Sequence, residues 1–355
     1  MNRIIKLTKM LALSLCLIVF AFSIKKMIDR PEEESTCDSG GKYDFAMGTV
    51  LSGTVYGEDD EKILDEIFAY VKHMDEDIFS WRIDGSLISK LNRDNQMSFG
   101  NPDADSEKLF EALMVSYGIC KESDGALDIT MRPLLDLWGI EEVNDDFVIP
   151  SDSEITQELD NVGYEKIVID DEKISIPDGV ILDMGSTVKG YALDEVYRIL
   201  EERGVEGAIV SIGGGVIVYG DKPSGIWRVG VRDPKGTQDD FIGYIELPKG
   251  TRACISTSGN YEKYVEYEGK RYHHIMDRKT GKPAESGVSS VTVLCYFDKT
   301  EHAGLVSDGL STACFVLGYE KSQPLLQKYN AEAIFIDSEG NIKMTDGIKE
   351  LFHKN

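Results

Sequence analysis

The sequence predicts an α+β fold in which mixed, largely antiparallel sheets pack against long helices. Three observations carry that expectation. Apolar residues recur at helical spacing over residues 59–79, 106–121, 187–203 and 307–317. Strand-like apolar runs occupy 166–169, 207–212, 227–231, 243–247, 289–296 and 333–337. Strands and helices do not alternate at the spacing of βαβ units, which argues against a doubly wound sheet. With 355 residues, 42% hydrophobic and 28% charged, the chain can bury a substantial core.

Taken in order, residues 1–30 read as a signal peptide or an N-terminal membrane anchor. Arg3, Lys6 and Lys9 precede an apolar run over 10–24, and Lys25, Lys26 and Arg30 follow it. That run is short for a membrane span, and Ala21-Phe22-Ser23 resembles a small-x-small cleavage site. Basic residues on both flanks leave cleavage and retention both open, and Cys16 raises lipidation as a third course. In every case the folded part is expected outside the cytoplasm, secreted or tethered to the cell membrane. Residues 31–44 are acidic and Gly/Ser-containing, a linker, and the domain is expected over 45–351.

The first helix turns Ile63, Leu64, Ile67, Phe68 and Val71 inward, and the second Leu109, Phe110, Leu113, Met114 and Tyr117. A short strand over 180–182 leads through Gly185-Ser186-Thr187 into the third helix, whose stripe is Val188, Ala192, Val196 and Leu200 and whose stop is Gly204. Gly318 closes the fourth. Six cysteines show neither C-x-x-C nor Cys/His zinc spacing, and Cys120, Cys254, Cys295 and Cys314 sit in apolar surroundings that suit buried thiols. A net charge of -25 disfavours nucleic acid as a partner.

Two segments carry the chemistry. Asp308 and Thr312 stand four residues apart near an expected helix start, so a carboxylate and a hydroxyl can face one point and offer oxygen ligands to a hard cation such as Mg²⁺. They can equally be a helix cap and a hydroxyl bonded back into its own helix. Asp183 through Gly190 place a carboxylate, a tight turn and Lys189 at a helix N-terminus, where free N–H groups suit a phosphate; Ser186 or Thr187 can cap that helix. A lysine in the first turn opposes the helix dipole, a hint of a bound anion. His274, beside His273, can serve as a general base or simply as a structural histidine. Residues 256–261 and 124–130 read as polar turns, and Ser211 to Gly215 as a glycine-rich bend without the pattern of a dinucleotide fold. Trp81 ends the first helix with a ring able to stack on a flat ligand.

The motifs resemble, in order, those of the ApbE family of flavin transferases. They are Met47-Gly48-Thr49, Ser86 with Leu91-Asn92, Gly125 to Asp128, Trp138-Gly139, Asp183 to Gly190 with Asp194, Gly213-Gly214, Trp227 with Arg232, Thr257-Ser258-Gly259, His274 with Asp277, Thr280-Gly281 with Pro283, and Asp308 with Ser311-Thr312. The resemblance implies a T-fold-like domain outside the cytoplasm that uses Mg²⁺ to transfer FMN from FAD to a threonine hydroxyl of an acceptor flavoprotein, releasing AMP. It implies Asp308, Thr312 and the Ser186 carbonyl as metal ligands. It further implies Met47, Trp81, Ala126, Leu127, Asp128, Asp183, Lys189 and His274 as FAD contacts, with His274 and Asp308 catalytic. A membrane redox subunit is among the acceptors it suggests.

Departures from the family pattern are Ser186 for a glycine or alanine, Gly215 for an acidic residue, a longer segment between Pro283 and Asp308, and Gly309 for an alanine, which costs about 1 kcal/mol of helix propensity. The alternatives are an FAD pyrophosphatase yielding FMN and AMP, and a non-catalytic extracytoplasmic flavin-binding protein.

Overall fold

Eight strands build one antiparallel sheet: β1 Lys42–Ala46, β2 Thr49–Tyr56, β3 Gly207–Ile212, β4 Gly215–Gly220, β5 Thr251–Gly259, β6 Val288–Tyr296, β7 Glu332–Asp337 and β8 Ile342–Met344. Each strand pairs with the next in chain order, so the sheet is a meander interrupted by long insertions. The computed structural model describes residues 41–141, 147–170, 172–237 and 239–355. The reading of residues 1–30 as a targeting segment, and most of the stretch read as linker, lie outside them. Lys42 to Asp44, also read as linker, belong to β1, and a short strand Phe352–Lys354 extends past residue 351.

The central strands are buried on both faces over much of their length, so apolar residues point to both sides. Ile217 and Tyr219 of β4, Cys254 of β5 and Val293 of β6 face the helical layer. Val218, Ala253, Ile255 and Leu294 alternate with them and face a second, smaller core around Trp227. That second core is covered by the hairpin Trp227–Arg232 and Phe241–Leu247, joined by Phe352–Lys354.

The helical layer enters between β2 and β3 and again between β6 and β7. Its long members are α1 Asp60–His73, α2 Ala104–Glu122, α3 Val188–Glu202 and α4 Ala303–Leu317. The expected helix over 59–79 ends as α-helix at His73 and continues as a π-helical turn, Met74–Phe79. The run read as a strand over 166–169 is a 3-10 turn followed by the strand Val168–Asp170. Residues 180–182, expected as a short strand, form no regular element and join no sheet; the side-chain amide of Asn92 both donates to and accepts from the backbone of Leu182.

Two other expectations need correction. Residues 256–259, read as a turn, lie in the centre of the sheet as part of β5. The fourth helix begins at Ala303 rather than Ser307, so Asp308 and Thr312 lie inside it, and Asp308 is no cap. The helix start is supplied from elsewhere: the buried Asp194 carboxylate of α3 accepts the N–H groups of Gly304 and Leu305 at 2.7 and 2.9 Å.

Candidate active site

Two hairpin turns meet at one end of the sheet. Met47 and Gly48 link β1 to β2 with φ of 53° and 70°, a two-residue hairpin turn whose left-handed backbone a methionine adopts only at a cost. Its geometry is held by Asp75 of the π-helical turn, which accepts the Met47 N–H at 2.6 Å. Gly213 and Gly214 make the next hairpin. A Cβ on Gly213 would stand 2.7 Å from the Thr49 hydroxyl, and one on Gly214 2.8 Å from the Thr257 carbonyl. The glycines let these strand ends close up into a floor.

Over that floor cross the start of α3 and the first half of α4. Gly190 and Gly304 are the contact: a Cβ on Gly190 would lie 2.1 Å from the Gly304 carbonyl oxygen, and one on Gly304 2.2 Å from that of Gly190. This close approach lets the Gly190 N–H donate to Asp308 Oδ2 at 3.0 Å. It also places Lys189 so that its Nζ donates to the Gly185 carbonyl at 2.5 Å and lies 3.5 Å from Asp308 Oδ2. Asp308 is buried, and burial pushes its carboxyl above the ordinary range against the pull of Lys189 and the Gly190 N–H. Beside it, Thr312 shares a hydroxyl cluster with Ser258 (3.1 Å), which in turn meets Ser311 at 2.7 Å.

Asp183 accepts the Gly185 N–H at 2.8 Å, an arrangement that tightens the turn before α3. Burial raises its carboxyl, opposed by that bond and by Arg132, 3.5 Å away. Thr187 does not cap α3; its hydroxyl lies 3.0 Å from Ser116, below the turn.

A charged wall closes another side. The Glu141 carboxylate accepts from Lys263 at 2.8 Å, Arg132 at 2.6 Å and Arg82 at 3.1 Å. Burial alone would raise its pKa, but Lys263 and Arg132 hold it down to about 2. Lys263 also orients a histidine: its carbonyl lies 3.2 Å from His274 Nδ1 and accepts the His274 backbone N–H at 3.1 Å. Burial, with Lys263 adding, pushes the His274 imidazole down to about 4, although one edge of the ring opens on the cleft.

The resulting cleft has a volume of about 410 Å³. Met47, Ala126, Leu127, Asp128, Asp183, Ser186, Lys189, His274, Asp308 and Thr312 all line it. The structure therefore brings together side chains from stretches spread over more than 260 residues. The Asp128 carboxylate is already engaged by Thr130, the Tyr164 N–H and Arg278. Trp81 is the exception. It does not line the cleft; the guanidinium groups of Arg132 and Arg82 lie 4.0 and 4.2 Å from its ring centre, and Arg82 is the cleft residue. Sequence reasoning missed Arg82, Glu141, Glu262 and Lys263, whose pairing depends on residues far apart in the chain and leaves no local spacing to read.

The site contains no group of three His, Cys, Asp or Glu side chains suited to a metal, and neither does any other place among the described residues. Around Asp308 it offers that carboxylate, the backbone carbonyls of the 185–187 turn and the Thr312 and Ser258 hydroxyls, the hard-oxygen set that magnesium takes when phosphate or water completes its shell. The Lys189 ammonium already sits between the Asp308 carboxylate and a carbonyl of the 185–187 turn, a positive charge where a cation would fit. The carbonyl it meets is that of Gly185; the Ser186 carbonyl expected from the sequence is its neighbour.

Comparison with known proteins gives concordant results. The model of the ApbE family matches residues 47–335. An FAD:protein FMN transferase of Vibrio cholerae is 30% identical over 295 residues, spanning 82% of this chain and 83% of that one. One from Treponema pallidum is 29% identical over 330 residues, 86% and 87% of the two chains. Among solved structures, the ApbE protein of Thermotoga maritima superposes with a TM-score of 0.78 at 30% identity, covering 89% of this chain and all of that one. The flavin transferase ApbE of Vibrio cholerae gives 0.73 at 26% identity, covering 88% and 99%.

Proposed function

The chain belongs to the ApbE family, and from that premise we propose that it is an FAD:protein FMN transferase. It takes FAD as substrate and joins FMN to a threonine hydroxyl of an acceptor flavoprotein through a phosphoester bond, with AMP leaving. The observation that carries this reading is the convergence of Asp308 and the Gly185–Lys189 turn in one cleft, two segments more than a hundred residues apart drawn to a common positive charge.

In this reading the diphosphate of FAD lies against the start of α3, where Lys189 and free N–H groups favour negative charge. Asp308, with Thr312 and a carbonyl of the 185–187 turn, would hold Mg²⁺; when bound, the ion supplies positive charge against the diphosphate and the departing AMP. The acceptor oxygen bonds to the FMN-side phosphorus as the bond from that phosphorus to the bridging oxygen breaks, and the electron pair leaves with AMP. His274 receives the hydroxyl proton. Its Nδ1–H donates to the Lys263 carbonyl, which leaves Nε2 with a free lone pair, the tautomer a base needs. Positioning supplies most of the acceleration, because the reacting atoms need alignment more than activation.

The localisation follows from residues 1–30, as an extracytoplasmic protein tethered to the cell membrane or secreted; fractionation of cells producing the full chain tests it. For the activity, the decisive experiment incubates the protein with FAD, Mg²⁺ and an unflavinylated acceptor and measures covalent FMN by mass spectrometry. Asp308→Ala should lower transfer by about 100-fold or more while the fold persists by circular dichroism. Full transfer by that variant would refute the assignment. FMN released free, with none on the acceptor, would favour the pyrophosphatase instead.

A further inference from the structure

One carboxylate of the cleft wall gathers three cations from separate stretches of the chain. Glu141 stands just past the short helix Arg132–Trp138, and its side chain is only 12% exposed. The three cations do not depend on it equally. Buried Arg132 also pairs with Asp136 and lies 3.5 Å from Asp183. Arg82 rests against the Trp81 ring with half of its side chain in water. Lys263, 2.8 Å from Glu141, makes no other ion pair among the described residues.

Lys263 is also the residue that frames the expected base. The hairpin Tyr264–Tyr267 and Lys270–His273 leaves from Lys263 and returns into His274, with Tyr264 opposite His273. Two bonds close its base, from the His274 backbone N–H and from Nδ1, both to the Lys263 carbonyl. The residue that fixes the ring therefore brings a positive charge with it. On the ring, Lys263 and Glu141 act in opposite senses: the ammonium disfavours an imidazolium and the carboxylate favours it. His273 also acts on the ring, and burial keeps it neutral down to about 4. Arg82, Asp128, Asp183, Lys189, Glu262 and Asp308 line the same cleft.

We propose that Glu141 is a positioning residue for proton transfer, balancing the Lys263 ammonium so that His274 can take the acceptor's proton. This rests on the transferase reading above. In that step the hydroxyl proton passes to His274 Nε2 while the oxygen bonds to phosphorus, and the ring becomes a cation. It does so beside an ammonium in a cleft, where charges are felt more strongly than in open water. Glu141 supplies the compensating negative charge and does not compete for the proton, because Lys263 and Arg132 hold its pKa down to about 2. Paired on two sides, the carboxylate is already in place before the charge develops, so little reorganisation is needed.

The test uses the full chain with FAD, Mg²⁺ and an exported flavoprotein subunit purified in its unflavinylated form. Glu141→Gln keeps the shape and an accepting oxygen and removes the charge. Its kcat should fall about tenfold at neutral pH, with KM for FAD within about twofold of the parent. Adding Lys263→Met removes the cation that Glu141 balances, so E141Q/K263M should recover kcat to within about threefold of the parent. Imidazole ¹⁵N NMR follows the same balance without turnover. The His274 ring should protonate about half a pH unit lower in Glu141→Gln and about half a unit higher in Lys263→Met. Lys263 is half-exposed, so Lys263→Met folds regardless, and its ring titration decides if Glu141→Gln does not fold. An unchanged kcat in Glu141→Gln, a loss that Lys263→Met does not relieve, or ring titrations that fail to move apart overturn the assignment. So does a loss carried by KM for FAD, which would make Glu141 a substrate contact. Failure of the unaltered protein to transfer FMN overturns the transferase reading, and with it any role in proton transfer, whatever the ring titrations give.

Discussion

His274 owes its expected role to two neighbours. The Lys263 carbonyl selects its tautomer, and burial together with the Lys263 charge keeps the ring neutral down to about 4. The neutral form is the one that accepts a proton, so activity belongs above that pKa and is lost as pH falls through it. Transfer measured as kcat/KM should stay level from about pH 8 to pH 5, where an ordinary histidine of pKa about 6.5 would already be mostly protonated. An acid limb centred near the ordinary value would show that the ring is not held neutral by its surroundings, and one that persists in His274→Ala would show that His274 is not the base. Its neighbour His273 differs in environment although the two are adjacent: it turns from the cleft and is braced against the Ala284 carbonyl. Nothing in the pair of letters distinguishes them. Lys189 was easier to single out, because a lysine in a first helical turn is unfavourable without an anion or an acid nearby, and the structure supplies the acid as Asp308.

At the scale of elements, the site depends on how closely α3 and α4 cross. Gly190→Ala would place a methyl group 2.1 Å from the Gly304 carbonyl oxygen and 2.7 Å from the Asp308 Cβ. Both obstacles belong to a packed helix, so the helices must part and the Gly190–Asp308 bond must lengthen. The variant should lose about 1–3 kcal/mol in urea unfolding and most of its transfer activity. Gly118 provides the contrast. It lies within α2, and a Cβ there would meet nothing within 4 Å. Gly118→Ala should therefore keep full activity and gain up to about 1 kcal/mol from helix propensity. Equal effects from the two substitutions would mean that the crossing does not matter. The same crossing explains what sequence periodicity could and could not locate. The stripes of α1 and α3 are local and legible, whereas that of α2 is displaced: Met114, expected inward, is exposed, and Ala112, Ser116, Ile119 and Cys120 are buried instead. The start of α4 is not legible, because its cap is Asp194, more than a hundred residues earlier. Strand β5 hides for a related reason: Ser256, Thr257 and Ser258 look like a turn until their hydroxyls meet Ser307, Thr292 and Ser311 from other elements. The candidate ligands Asp308 and Thr312 were readable from their four-residue spacing, whereas the Glu141 wall had no counterpart in any short stretch of sequence.

For the molecule as a whole, the excess of 63 acidic over 38 basic side chains sets the terms on which it folds and meets its substrates. Many of its ion pairs join two exposed side chains, as in Lys270–Glu285, Lys282–Asp152 and Lys349–Asp346. Such pairs contribute little, and salt weakens each of them only slightly. The unpaired negative charge acts in the other direction: it repels itself across the compact surface, and that repulsion is screened as the Debye length shrinks from about 30 Å at 0.01 M salt to about 8 Å at 0.15 M. Screening should win, so the thermal midpoint should rise by a few degrees when NaCl is raised from about 0.01 M to about 0.15 M. The comparison isolates surface charge because the polar bonds that build the cleft, from Gly190 to Asp308 and from Asp194 to the start of α4, are buried and scarcely screened. FAD is itself an anion, and the same screening should speed its association, with the salt dependence measured by stopped-flow quenching of flavin fluorescence. A midpoint that falls with salt would show that the paired charges outweigh the excess, and would locate more of the fold's stability on its surface than the geometry of the exposed pairs supports.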